Sequence, residues 1–301
     1  MRILSIGEII WDIFPDAERL GGAPLNFAAH ARRLGHEVFL LSAVGDDDRG
    51  PRAVERIADL RVAVDFIHRV KGAPTGFAAV EVNREGKPQF AIGRPAAYDH
   101  IQFTDETLVR IADLQPDWIY FGTLFHTTPS NLAMTRRILE ACPLAYRIYD
   151  MNLRGPHWNT ELVVELSAMA SVVKASDEEL NMLRPAVVLA KHVAETELSA
   201  ASLLPIKNAK AAIITRGANG CIVRAQGEFV IKHAFPVEVA DTVGAGDAFA
   251  AAFVHALSEQ RPMAEAARFA NAVAALVASR PGAIPDWSLN EVNALLSTDE
   301  P

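Results

Sequence analysis

Short apolar runs alternate with segments of helical periodicity along most of this chain. Runs at 2–6, 38–44, 118–122, 145–149, 171–174 and 211–215 read as buried strands. Between them, 25–34 (which Gly35 can cap), 105–112, 130–142 and 161–170 repeat apolar residues at helix spacing. Strands alternating with helices in this way predict βαβ units. The expected fold is α/β, a three-layer sandwich with a mainly parallel central sheet covered on both faces. Ligands of such sheets bind beyond the carboxyl ends of the strands.

Two stretches depart from that rhythm. Residues 72–100 alternate apolar and polar positions around Asn83-Arg84-Glu85-Gly86, a hairpin signal, and 9–20 are strand-like before a turn at Gly21-Gly22. Together they predict a small β-layer over one edge of the main sheet. It is either a lid or the clasp of a homodimer. Residues 211–235 suggest a further hairpin, and 246–279 a helical tail. Nothing has the character of a linker, so 1–301 reads as a single domain.

Composition narrows the function classes. The 301 residues are 50% hydrophobic and 22% charged with a net charge of −8, an ordinary globular balance. An acidic chain argues against nucleic-acid or anionic-membrane partners, though a local pocket can still take an anionic substrate. No apolar stretch approaches a membrane span, and the N-terminus reads as a strand rather than a leader, so a cytoplasmic location is the default. Cys142 and Cys221, far apart and outside any CxxC, predict neither a disulfide framework nor a zinc site. The nine histidines contain no HExxH; His126 and His157 read as polar pocket or surface residues rather than ligands.

The stretch most charged with chemistry is Asp241-Thr-Val-Gly-Ala-Gly-Asp-Ala-Phe249. A dinucleotide loop needs a third glycine where Phe249 stands. A P-loop needs GxxxxGK[ST], and the one Gly-Lys pair, Gly86-Lys87, precedes proline. Two readings stay open. A plain helix start suits a glycine turn with an aspartate in the first turn. Alternatively, amides at a helix N-terminus make an anion hole and the nearby carboxylate a base, the combination that phosphoryl transfer to an alcohol requires.

This stretch resembles the C-terminal signature of the ribokinase-like (PfkB) carbohydrate kinase family. Other segments resemble that family in order along the chain. Gly21-Gly22-Ala23-Pro24-Leu25-Asn26, followed by Ala31-Arg32-Arg33-Leu34-Gly35, is similar to its N-terminal glycine signature, and Val44-Gly45-Asp46-Asp47 follows. Asp150-Met151-Asn152-Leu153-Arg154 with Trp158 resembles the DxNxR…W segment of its fructokinase and keto-sugar-acid kinase branches. Ile214-Thr215-Arg216-Gly217-Ala218-Asn219-Gly220 is similar to its TxGxxG turn, and Phe269-Ala270-Asn271-Ala272 and Arg280-Pro281-Gly282-Ala283 to its tail.

The resemblance implies a ribokinase-like kinase using ATP with Mg²⁺, and a role for each matched residue. Asp247 becomes the general base, and the amides of Gly244, Ala245 and Gly246 the anion hole. Asp12, Gly22 and Asn26 become hydroxyl-binding positions, with the plain alternative for Asn26 a polar residue at a helix start. Arg94 and Tyr98 are lid candidates to close over the sugar, against a solvated arginine. Arg154 meets a substrate acid or the phosphates, or pairs with Asp150. Thr215, Arg216, Gly217, Gly220 and Asn271 fall on the nucleotide side, and Asp241 matches a position tied to potassium. The family's NxxE motif departs here: Ser176 replaces asparagine, and Ser176 with Glu179 also forms a capping-box pattern. Glu179 keeps a water-mediated magnesium role beside that structural one.

GGAPLN resembles the signature of the family's fructokinases more than that of its ribokinases, which implies fructose as acceptor, ahead of 2-keto-3-deoxygluconate and of nucleosides. Two readings stand outside the kinases. A catalytically idle sugar or nucleotide sensor is disfavoured by the intact Asp247, and a dehydrogenase by the missing third glycine.

Overall fold

Isoleucine, leucine and valine on both faces of a strand force it into the middle of a sheet, and this rule places most of the expected strands. The computed structural model describes residues 1–82, 88–188, 210–225 and 228–298. By its contacts the chain divides into two compact units: Met1–Ala145 with Arg154–His157, and Tyr146–Leu153 with Trp158–Pro301.

The first unit contains β1 (Arg2–Ile6), β4 (Glu37–Gly45), β5 (Ile67–Val70) and β8 (Trp118–Gly122), in the order β8-β1-β4-β5 and all parallel. Helices α1 (Ala23–Arg33), α2 (Arg49–Asp59), α3 (Asp105–Leu114) and α4 (Pro129–Ala141) accompany them. Its core holds Ile3, Leu4, Leu40, Leu41 and Ile119, and Phe27 of α1 stacks on Tyr120 of β8 with centroids 4.1 Å apart. Gly35, with φ +90°, follows α1 as expected.

The second unit orders its strands β9 (Tyr146–Asp150), β10 (Val172–Ser176), β11 (Ala211–Thr215), β12 (Cys221–Ala225) and β13 (Glu228–Lys232). The first three are parallel and the last two antiparallel, so the expected hairpin across 211–235 is present. Its helices are α5 (Thr160–Met169), α6 (Asp177–Val188), α7 (Ala245–Ser258), α8 (Met263–Ala278) and α9 (Leu289–Ser297). The helical tail expected over 246–279 is therefore two helices. Gln260 takes a left-handed φ of 57°, and Pro262 caps α8. The expected α/β fold with a large, mostly parallel sheet is borne out.

The small β-layer is a separate four-stranded sheet in the first unit. Its order is β3 (Glu18–Gly21), β2 (Ile10–Ile13), β6 (Phe77–Val82), β7 (Pro88–Gly93). Residues 9–20 are not one strand: Pro15-Asp16 turns the chain, and Phe14 N–H donates to Ala17 C=O at 2.8 Å. The expected turn at Asn83–Gly86 lies outside the described residues, although β6 and β7, on either side of it, pair antiparallel. Helix α2 fastens onto this sheet. Arg49 bonds Glu18 at 2.6 Å, and the Arg52 guanidinium lies 4.7 Å from the Trp11 ring centroid.

Cys142 and Cys221 are buried thiols with no disulfide between them. Among the described residues no helix is long and apolar enough to cross a membrane. His126 proves to be a core residue at 1% exposure. Its Nδ1 must donate to Gly122 C=O at 2.6 Å, so in the neutral ring Nε2 accepts from Thr135 Oγ1 at 2.8 Å. Burial lowers its pKa from 6.5 to about 4, with the Gly122 bond opposing. The folded chain thus prefers the neutral ring. Stability from this residue is whole above about pH 6.5 and is lost as pH falls towards 4, amounting to about 3 kcal/mol. Urea unfolding of His126→Gln checks this: between pH 6.5 and 4 its stability should fall less steeply than that of the wild type, by roughly one proton.

Candidate active site

Gly244 opens α7 in a left-handed conformation, φ +81°, that a side chain adopts only under strain. A Cβ there would lie 2.3 Å from the Ala283 carbonyl oxygen, so the turn packs backbone to backbone against the segment at 282–283. Asp241 fastens the same two segments. Its Oδ1 accepts from Val243 N–H and its Oδ2 from Gly282 N–H, both at 3.0 Å. At the helix start, the amides of Gly244 and Gly246 precede the first intrahelical acceptor. That of Ala245 makes only a 3.3 Å bond to Thr242 C=O. The positive end of α7 therefore coincides with the expected anion hole. Asp247 is the third helical residue and 7% exposed, so a carboxylate is held at that same terminus.

A buried charged cluster surrounds it. Asp150 ends β9, and the parallel register sets it opposite Lys174 of β10. Lys174 Nζ donates to both Asp150 oxygens, at 2.8 and 3.0 Å, and neither side chain exceeds 4% exposure. Burial pushes the Asp150 pKa up against the pull of Lys174, with Asp247 and Glu179 adding to the rise. Burial works against the Lys174 ammonium, but Asp150, Glu179 and Asp247 outweigh it and hold its pKa above the usual value. Lys174 was missed in the sequence. The available signal was a lone lysine inside an apolar parallel strand, which must have a buried partner. That partner is Asp150.

Glu179 sits at 7% exposure on α6. Its Oε2 accepts from Ser176 N–H at 2.7 Å, Ser176 Oγ accepts from Glu179 N–H at 3.1 Å, and its Oε1 accepts from Leu153 N–H at 2.8 Å. The capping box is therefore real, and it also bolts the loop after β9 to α6. Ser176→Ala should cost about 1 kcal/mol in urea unfolding, whereas Ser176→Asn should lose little because asparagine caps equally well.

On the TxGxxG turn, Gly217 and Gly220 take φ +52° and +81°, and a Cβ on Gly220 would meet Lys232 C=O at 2.0 Å. Thr215 is half-buried, and Arg216 donates to Asn219 C=O at 3.0 Å within its own turn. Asn271 departs from expectation. It is 4% exposed, and its amide donates to Lys232 C=O at 3.2 Å and His233 C=O at 3.0 Å. With both hydrogens so placed, it braces the end of β13 and has no donor left for a nucleotide.

In the first unit, Asp12 and Asn26 converge on the glycine pair. A Cβ on Gly21 would lie 3.5 Å from Asp12 Oδ2 and 3.8 Å from Asn26 Oδ1. Gly22, φ +107°, leaves no room for one, since it would meet Glu8 C=O at 2.6 Å. The expected hydroxyl-binding residues are thus brought together. Arg94 and Tyr98 are not poised to close over anything. All five Arg94 N–H donors have protein acceptors: Asp99 by two, Leu124 C=O at 3.2 Å, Thr127 at 2.5 Å and Thr128 at 3.3 Å. Tyr98 is fully buried beneath that guanidinium, whose centre lies 5.6 Å from its ring centroid. Arg154 is exposed, and His157 is half-buried.

The pattern that defines the pfkB family of carbohydrate kinases matches residues 15–289. The chain belongs to that family. This kinase is 30% identical to aminoimidazole riboside kinase of Salmonella typhimurium, over 99% of its own length and 95% of the relative's. It is 28% identical to probable fructokinase-2 of Arabidopsis thaliana, over 94% and 92% respectively. Among solved structures it resembles fructokinase from Xylella fastidiosa with bound ATP. That match has a TM-score of 0.82 and 26% identity, and covers 98% of each chain. The fold is accordingly ribokinase-like, and the kinase is a sugar phosphotransferase.

Proposed function

We propose that this kinase transfers the γ-phosphoryl group of ATP to a primary hydroxyl of a small sugar, with fructose the first candidate, and that residues 1–301 work as one kinase domain. The observation that carries this reading is the placing of Asp247 on the same helix terminus as the Gly244–Gly246 amides. The acceptor hydroxyl gives its proton to the Asp247 carboxylate as its oxygen bonds the terminal phosphorus. The bond from that phosphorus to the bridging oxygen breaks, and its electron pair leaves on ADP. The amides stabilise the charge on the equatorial oxygens. Asp12, Asn26 and the backbone at Gly22 hold the sugar hydroxyls, with exposed Arg154 available to an anionic group. Thr215, Arg216, Gly217 and Gly220 serve the nucleotide.

Glu179 fits a magnesium ion met through water. Its two oxygens are fixed by backbone amides and each keeps a lone pair. Among the described residues no three His, Cys, Asp or Glu side chains are grouped to ligate a metal directly. Magnesium, arriving with the nucleotide, supplies charge neutralisation at the phosphates. Asp241 and the segment it holds fit potassium as a stabiliser of the turn. The four-stranded sheet serves as a lid or as a clasp between two copies.

Fructose is supported by the GGAPLN signature and by the fructokinase relatives. The 30% identity to a riboside kinase favours a second reading, a ribosyl-bearing acceptor with the same chemistry. The deciding experiment measures ADP release with fructose, ribose, 2-keto-3-deoxygluconate, aminoimidazole riboside, adenosine and inosine, in potassium and in sodium. Fructose should give the highest kcat/KM; a riboside in its place overturns the first reading, and no release with any acceptor overturns both.

A further inference from the structure

We propose that Lys174 is a phosphate-binding residue, its ammonium donating to a non-bridging oxygen of the nucleotide's terminal phosphate on the Gly246 side of α7. The proposal rests on the reading of that helix terminus as the phosphate site. Three observations carry it. First, the pair with Asp150 is almost wholly removed from water, at 4% and 0% side-chain exposure. Such pairs contribute little net stability compared with apolar residues of the same volume, so stability alone gives no reason to keep one.

Second, an ammonium has three donors. Two bonds run to the Asp150 oxygens, which fix Nζ from one side; among the described residues no further acceptor takes the third. Third, that donor has an open approach to the turn. A Cβ on Gly246 would lie 3.3 Å from Lys174 Nζ and 3.9 Å from Cε, and would meet no other atom within 4 Å. Gly246 has an ordinary backbone conformation, so its missing side chain is explained by the space it leaves beside the ammonium. A cation there adds to the positive end of α7, where phosphate oxygens need it.

The test uses the full-length chain and isothermal titration with ADP and with a non-hydrolysable ATP analogue, beside kcat and the KM for the sugar. Lys174→Met/Asp150→Asn removes both charges together and leaves no buried ion unpaired, so the melting temperature should stay close to the wild type. The ratio of analogue affinity to ADP affinity should fall at least tenfold and kcat about 100-fold, with the sugar KM unchanged. An unchanged ratio with kcat within threefold of wild type makes the pair structural and overturns the proposal.

Gly246→Ala keeps the ion pair and favours the helix, but its methyl group stands between Nζ and the turn. It should lower the same ratio, and should add nothing to the Lys174→Met/Asp150→Asn variant. Additive losses overturn the proposal as well. If the pair variant does not fold, the ratio in Gly246→Ala decides alone. Failure of the kinase reading is a separate outcome, seen as a wild type that binds neither nucleotide and releases no ADP.

Discussion

Asp247→Asn lowers turnover by about 10²–10⁴-fold while leaving the fold and the affinity for sugar nearly untouched. The asparagine keeps the shape of the aspartate and a carbonyl oxygen at the same terminus, but it cannot accept the proton of an alcohol. Its electrostatic effect on the folded state is favourable. Asp247 is buried with Asp150 and Glu179, three carboxylates around one ammonium. Removing one negative charge relieves repulsion within that cluster. The variant should therefore melt no lower than the wild type, and a loss of activity is not explained by unfolding. Steady-state kinetics, with calorimetric titration of the sugar, separate the two effects. Turnover near the wild-type rate would mean that the proton goes elsewhere and that Asp247 merely begins a helix.

What could be read from the sequence follows from how local each determinant is. The stretch at 241–249 was legible because a turn glycine, a helix start and the carboxylate three residues on are all set by neighbours in the chain. The same holds for the Ser176–Glu179 capping box and for strands such as 2–6, 118–122 and 211–215, whose apolar runs announce burial. Helix α2 escaped because only Gly50, Ala53 and Ile57 are buried along it, too sparse a stripe to stand out among its charges.

Pairings between distant segments were out of reach. The partnership of Lys174 with Asp150 depends on the register of β9 and β10, which no local pattern encodes. Arg94 and Asn271 misled for a related reason. Each looks like a free polar side chain, yet its acceptors come from elsewhere: Asp99, Thr127 and Thr128 for the arginine, and the carbonyls at the end of β13 for the asparagine. Polar residues gathered by the fold fall into two kinds, those with donors already taken and those with a donor or acceptor left. Sequence alone does not separate them.

Gly244→Ala should cost both stability and turnover. Two costs add at this position. A side chain in the left-handed conformation costs roughly 1–2 kcal/mol. The new methyl would also meet Ala283 backbone atoms at 2.3 to 2.9 Å, and backbone cannot swing aside as a flexible side chain does. The turn must therefore move away from the 282–283 segment, pulling against the Asp241 carboxylate that holds the two together. Moving the turn re-aims the amides of Gly244 and Gly246, and misplacing a single such donor costs roughly 10²–10³ in turnover. The expected result is a melting temperature lower by several degrees and a kcat lower by at least about 100-fold. Gly35→Ala, at a glycine with no part in the site, is the matching control. It has the same sign of φ, but its Cβ meets nothing within 4 Å. It should show the backbone cost without the catalytic loss. Equal losses of turnover in the two variants would show that strain, rather than the placing of the amides, governs activity at the α7 terminus.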